Sequence, residues 1–102
     1  MTALHVHQQV GDWVAWKRTF DQVMSQPSAR SVLSYRVWRG LDDASLVVVE
    51  YTFDSRDAAE SFINGPDVKR ELELTVLDDS TTFFEYLEEV AFANFEPQPY
   101  DL

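Results

Sequence analysis

The chain of 102 residues has the size of one domain, and its content of 45% hydrophobic and 14% aromatic residues is enough for a core. It contains no cysteine, which excludes disulfides, thiolate nucleophiles and cysteine metal sites. Its net charge of −10 disfavours nucleic acid and anionic membranes as partners, because both require clusters of Lys and Arg.

The sequence also lacks the patterns of export and membrane insertion. No window approaches the roughly 18 consecutive apolar residues of a membrane helix. Residues 1–20 include charged side chains and no long apolar run, unlike a signal peptide. We therefore expect a cytoplasmic protein without a membrane partner.

The first part of the chain predicts a strand followed by a helix. Residues 3–10 alternate between apolar and polar side chains, which is the period of a strand. Asp12 is a suitable N-cap for a helix that runs to about Ser25. The apolar residues of this helix recur at spacings of three and four, which is typical of a helix that packs on a core. They include Trp13, Trp16 and Phe20.

The second part of the chain alternates strands and helices again. Its predicted elements are, in order, strand 32–39, turn 40–43, strand 45–53, helix 54–65 capped by Asp54 or Ser55, a short helix from Pro66, and strand 80–90. The tail beyond them holds Pro97 and Pro99 and cannot be a central strand.

This β-α-β-β-α-β order is the ferredoxin-like pattern of an α+β protein. It predicts a four-stranded antiparallel sheet in the strand order 4-1-3-2, with the helices on one face. We expect one domain over residues 1–91 and a C-terminal arm over residues 92–102. Since helices cover only one face, the composition of the other face indicates whether a partner is needed.

The alternation assigns residues to the two faces of the sheet. The residues before each helix, Val10 and Phe53, should point towards the helices, and counting by twos from them defines the helix side. The opposite face then combines ionisable and apolar side chains, among them His5, His7, Arg36, Trp38, Val48 and Glu50. This mixture fits a polar-lined cavity that a second subunit closes.

At this point the sequence resembles the dimeric α+β barrels, and among them the antibiotic-biosynthesis-monooxygenase-like proteins. The resemblance covers roughly residues 4–90 and rests on the early strand HVHQQV, the helix GDWVAWKRTFD, the hairpin region YRVWRGLDDASLVVVEYTFDSRDAAESFI and the closing FFEYLEEV. The helix has the pattern D-W-x-x-W-K-x-x-F-D, and the turn has the pattern R-G-x-D-D.

The resemblance implies a homodimer in which two sheets pack face to face and the C-terminal arm reaches the partner subunit. Phe92, Phe95 and Tyr100 suit such an arm. Members of this superfamily include cofactor-independent monooxygenases of polycyclic phenols, haem-degrading enzymes, muconolactone isomerases and polyketide cyclases. Haem degraders share a helical histidine, whereas both histidines here lie on a strand. A haem site is therefore disfavoured.

His5 and His7, the only histidines, lie about 7 Å apart on one face of the first strand. As a metal site the pair needs a third ligand, and an ion pair between Arg36 and Glu50 would compete with the metal for the carboxylate. As acid–base groups beside Glu50 the histidines suit proton transfer. The third alternative is that both histidines are only polar residues at a subunit interface. We expect no metal and no cofactor.

Two functions remain open from the sequence. The first is a cofactor-free oxidation, isomerisation or cyclisation of an aromatic or polyketide-like compound in a cavity between two subunits. Its predicted groups are His5, His7 and Glu50 for catalysis, and Arg36, Trp38 and Val48 for substrate binding. The second is a binding or interaction module without enzymatic activity, in which the polar residues only determine how the subunits align.

Overall fold

The structure, a computed structural model, describes residues 1–73, 76 and 82–95. Its elements are β1 (Thr2–Gln9), α1 (Trp13–Met24), a 3-10 helix (Pro27–Ser31), β2 (Ser34–Arg39), β3 (Leu46–Phe53), α2 (Arg56–Ile63), α3 (Pro66–Glu73) and β4 (Phe83–Glu88). The strands form one antiparallel sheet in the order β2-β3-β1-β4, and the helices pack on one face. The predicted ferredoxin-like α+β fold is confirmed.

The alternation in the two central strands separates the core from the opposite face. In β1 the side chains of Leu4 and Val6 are buried, and in β3 every second residue from Val47 to Phe53 is buried. The antiparallel register places Val6 opposite Val49 and His5 opposite Glu50. The predicted faces of β1 and β3 are therefore confirmed.

The helices α1 and α2 begin where short polar side chains accept backbone hydrogen bonds. Asp12 caps α1 as predicted, because its carboxylate accepts a hydrogen bond from the backbone N–H of Ala15 at 3.1 Å. Of the two caps considered for α2, Ser55 fills the position, and its hydroxyl accepts from the N–H of Ala58 at 3.2 Å. Both caps lie at the ends of strands and turn the chain back across the sheet.

Gln8 is a buried polar residue within the apolar set of β1. Its side chain is 1% exposed, and its amide oxygen accepts a hydrogen bond from the indole Nε1 of Trp16 at 3.2 Å. The pair satisfies two buried polar groups at once, so the glutamine does not interrupt the strand, which continues to Gln9. The interaction also aligns α1 over the end of β1.

The end of the chain is described as far as Phe95. β4 is shorter than the predicted strand 80–90, of which residues 80 and 81 lie outside the described residues. The same holds for residues 96–102 of the predicted arm, including Tyr100. No helix in the described ranges is long and apolar enough to span a membrane.

Candidate functional site

The helices leave one face of the sheet without a covering element among the described residues, and we call this the open face. Its side chains are Ala3, His5, His7 and Gln9 of β1, Leu46, Val48, Glu50 and Thr52 of β3, Ser34, Arg36 and Trp38 of β2, and Phe83, Glu85 and Leu87 of β4. All six residues predicted as a site lie on this surface. Their catalytic and binding roles stay predictions.

His5 and Glu50 form the closest contact between ionisable groups that is described on the open face. The Nε2 atom of His5 lies 3.2 Å from a carboxylate oxygen of Glu50, and the two side chains are 25% and 33% exposed. A carboxylate only accepts hydrogen bonds, so this contact favours the tautomer of His5 with its proton on Nε2. In that neutral tautomer the lone pair is on Nδ1, the ring nitrogen that would accept a proton or bind a cation.

Glu85 joins both histidines from the neighbouring strand. One of its carboxylate oxygens lies 4.0 Å from Nδ1 of His5 and 3.9 Å from Nε2 of His7. The two imidazole rings are 6.3 Å apart, centre to centre. The Nε2 atom of His7 is itself buried and has no hydrogen-bond partner among the residues that the structure describes. The cluster therefore contains a polar atom that a ligand would satisfy.

Large apolar side chains flank this cluster on both sides. Trp38 and Phe83 are each 53% exposed. The rings of Phe83 and His7 pack edge to face, with their centres 5.4 Å apart. Val48 lies opposite both Trp38 and His7 in the sheet register and is partly buried. A surface with polar groups in the centre and apolar groups around them is typical of a small-molecule site.

Arg36 lies opposite Glu50 in the register of β2 and β3. The expected ion pair between them is not formed within the described ranges, where Glu50 contacts His5 instead. Arg36 is exposed and keeps its guanidinium available to a ligand or a partner.

Glu85 was not predicted as a site residue, although the strand that contains it was predicted. Knowing that strand 4 borders strand 1 was insufficient, because the register between them was not known. The alternation in β4 does contain a signal. If Phe84 and Tyr86 point to the helices, Glu85 must point to the open face beside the histidines.

A separate pocket lies on the helix side of the sheet. It has a volume of about 240 Å³ and is lined by Ile63, Asn64, Lys69, Phe84 and Tyr86. None of these residues was predicted as part of a site, and none belongs to the open face. Three of the lining residues carry a polar group, which is the amide of Asn64, the ammonium of Lys69 and the hydroxyl of Tyr86.

Comparison with known proteins identifies the fold. The chain is similar to Rv0793 from Mycobacterium tuberculosis (TM-score 0.70, 15% identity, covering 91% of this chain and 98% of that one). It is also similar to SnoaB, a cofactor-independent oxygenase from Streptomyces nogalater (TM-score 0.69, 14% identity, 89% and 93% covered). A third similar structure is an antibiotic biosynthesis monooxygenase (TM-score 0.68, 10% identity, 89% and 100% covered).

These likenesses confirm the fold that the sequence resemblance implies, that of the antibiotic-biosynthesis-monooxygenase-like proteins. No protein-family model matches the chain, and no curated protein matches it by sequence. At identities of 10–15% the likeness does not extend to the residues of a site. The possible chemistry of this chain therefore depends on the residues of its own open face.

Proposed function

We propose that the chain forms a homodimer through its open face and binds an aromatic compound in the enclosed cavity, where His5 accepts a proton from it. The observation that carries this proposal is the contact between Nε2 of His5 and Glu50 at 3.2 Å. This contact would orient the ring and stabilise the imidazolium that forms, while Nδ1 would accept the proton. The fold of cofactor-independent oxygenases supports the proposal.

Proton removal from a phenol or an activated ring carbon produces an electron-rich anion. This step is common to oxidation by dioxygen, isomerisation and cyclisation. In the oxidation, a ring CH₂ group and one O₂ molecule give a ring carbonyl and one water, so that no external reductant is needed. Trp38 and Val48 would contact the ring system, and Arg36 would bind the developing oxyanion.

Exposed apolar side chains on the open face and in the segment after it support the proposed dimer. Trp38, Phe83 and Leu87 are 53%, 53% and 38% exposed in the single chain. In the segment after β4, Phe92 and Phe95 are 74% and 90% exposed. We propose that the open faces of two copies pack together and that residues 92–102 cross to the partner subunit.

The test measures turnover of a panel of hydroxylated anthrones and naphthols by oxygen uptake and quinone absorbance. We expect His5→Asn to lower turnover by about 10²–10⁴-fold, the range for loss of a general base. Gln9→Ala, on the same face of the same strand, should leave the rate unchanged.

Equal turnover by the wild type and His5→Asn would contradict the role of His5. Product formation without oxygen would assign the reaction to isomerisation or cyclisation. The non-catalytic alternative predicts that the same compounds quench tryptophan fluorescence on binding but are not converted by any variant.

A further inference from the structure

Three side chains on the open face bring potential metal-ligand atoms close to one another. His5, His7 and Glu85 can each offer one ligand atom, and these atoms all lie within 4.8 Å of one another. We propose that this cluster binds a divalent transition-metal ion through His5 Nδ1, His7 Nε2 and a carboxylate oxygen of Glu85. This goes beyond the proposed function, which needs no metal.

The three donor atoms, all within 4.8 Å of one another, lie farther apart than in an occupied three-ligand site, so binding would draw them together. Metal–ligand bonds of about 2.0–2.1 Å in tetrahedral geometry place the donor atoms about 3.3 Å apart. Here the Glu85 oxygen is 4.0 Å from His5 Nδ1 and 3.9 Å from His7 Nε2. A small rotation of the Glu85 side chain, which is 44% exposed, would shorten both distances. The fourth coordination position would face the open side and remain available to water or a small ligand.

The positions of the three ligands are set by the central part of the sheet. His5 and His7 are two residues apart on β1, and Glu85 is directly opposite His5 on β4. Hydrogen-bonded strands keep this arrangement without the metal, so the ion would enter a largely preformed site. All three proposed ligands are strand residues.

Glu50 supplies the support that histidine ligands typically have. A ligating imidazole usually donates its other N–H to a carboxylate, which fixes the tautomer and makes the ring a better ligand. Glu50 contacts Nε2 of His5 at 3.2 Å and leaves Nδ1 for the metal. On the other ring, Nε2 of His7 is buried without a hydrogen-bond partner in the described part of the chain, and the ion would satisfy it.

The charges and donor types indicate which cations fit. The carboxylates of Glu50 and Glu85 give the cluster negative charge when the histidines are neutral, and Arg36 opposite Glu50 offsets part of it. Two imidazoles and one carboxylate favour Zn²⁺ and similar first-row ions over Mg²⁺ and Ca²⁺, which prefer oxygen ligands. A bound ion would occupy the same Nδ1 atom that the proposed function uses, and should therefore inhibit turnover.

Binding is tested directly, without any activity assay. The metal-free protein is titrated with ZnCl₂ in a calorimeter, and with CoCl₂ while visible d–d absorption is recorded. We expect one site per chain and the strong visible bands of four-coordinate Co²⁺. His7→Ala should abolish this binding, and Glu50→Gln should weaken it about 10–100-fold, as for other groups that support a ligand.

Glu85→Gln and Glu88→Gln form a matched pair of variants. Both remove one negative charge from β4, but Glu88 is exposed and lies outside the cluster. We expect Glu85→Gln to weaken Zn²⁺ binding at least tenfold and Glu88→Gln to leave it unchanged. Circular dichroism of each variant would verify that it folds.

Two results would overturn the proposal. One is the absence of Zn²⁺ binding by the wild type, and the other is equal affinity of wild type and Glu85→Gln. Displacement of Zn²⁺ by excess Mg²⁺ would count equally against it, since it would indicate general attraction to an acidic protein. A protein that binds Zn²⁺ but does not convert aromatic compounds would support the metal site and contradict only the proposed function.

Discussion

Tyr51 combines full burial with a polar atom that has no described partner. Its side chain is 0% exposed and packs against Phe20, Phe53 and Phe62, with ring centres 5.1–6.4 Å away. The hydroxyl has no hydrogen bond within the described ranges. Burial, and to a smaller extent the nearby Tyr35, raises the pKa of this hydroxyl well above its usual range.

We predict that Tyr51→Phe stabilises the protein by about 1 kcal/mol at neutral pH, because it removes an unsatisfied buried hydroxyl. The raised pKa adds a pH dependence. Above about pH 10 the unfolded chain releases the tyrosine proton while the folded chain retains it, so stability falls as the pH rises. This alkaline loss should be smaller in Tyr51→Phe. Urea unfolding at about pH 7 and about pH 11 measures both effects.

The control for this prediction is Tyr35→Phe. Tyr35 is 45% exposed and contacts Phe20 with its ring, so the variant removes an accessible hydroxyl and keeps the packing. It should retain most of the loss of stability at alkaline pH, because burial, the larger cause of the raised pKa of Tyr51, is unchanged. If Tyr51→Phe and the wild type lose the same free energy of unfolding between about pH 7 and about pH 11, Tyr51 is not the source of the alkaline pH dependence.

At this scale the sequence predicts the face of a residue better than its contacts. His5 and Glu50 were placed on one face from the alternation alone, and the structure has them in contact. The partner of Gln8 and the approach of Glu85 to the histidines were not predicted. Both contacts depend on the register between two elements. The periodicity of a single element does not determine that register.

The elements themselves follow from strong local signals. Strand and helix periods, proline and the capping residues predicted each of the four strands and three α-helices to within a few residues. The 3-10 helix Pro27–Ser31 was not predicted, because Pro27 marks the end of a helix without indicating the backbone that follows. The cap of α2 was left open between two adjacent polar residues.

The two candidate caps of α2 allow a matched comparison. We predict that Ser55→Ala lowers the free energy of unfolding by about 1 kcal/mol, because the N–H of Ala58 loses its hydrogen bond. Asp54→Ala, one residue earlier and exposed, should change it by less than about 0.5 kcal/mol. Chemical denaturation of both variants measures the difference. A larger cost for Asp54→Ala would show that the neighbouring carboxylate matters more than the cap.

At the scale of the whole molecule, the open face exposes apolar side chains that the proposed homodimer would cover. We predict that the protein sediments as a dimer at micromolar concentration and that Phe83→Glu shifts it to the monomer. Phe83 is 53% exposed on the open face, and a buried unpaired carboxylate at an interface is costly. Analytical ultracentrifugation across a concentration series measures the equilibrium.

Leu41→Glu provides the control for this prediction. Leu41 is fully exposed in the turn between β2 and β3, and the substitution makes a similar apolar-to-acidic change away from the open face. It should leave the dimer intact. A wild-type monomer at tens of micromolar would contradict the dimer, and with it the enclosed cavity.

The alternation of β1 has a consequence for how proteins of this shape can diverge. β1 is a central strand, and its odd and even residues point to opposite sides of the sheet. Its buried even-numbered residues pack in the core and stabilise the fold, whereas His5 and His7 do not contribute to the core. Substitutions at the odd positions can exchange one chemistry for another without repacking the interior. Proteins of this architecture can therefore differ in their reactive groups while they share the fold, and the residues at the odd positions of β1 have to be known before a reaction is assigned.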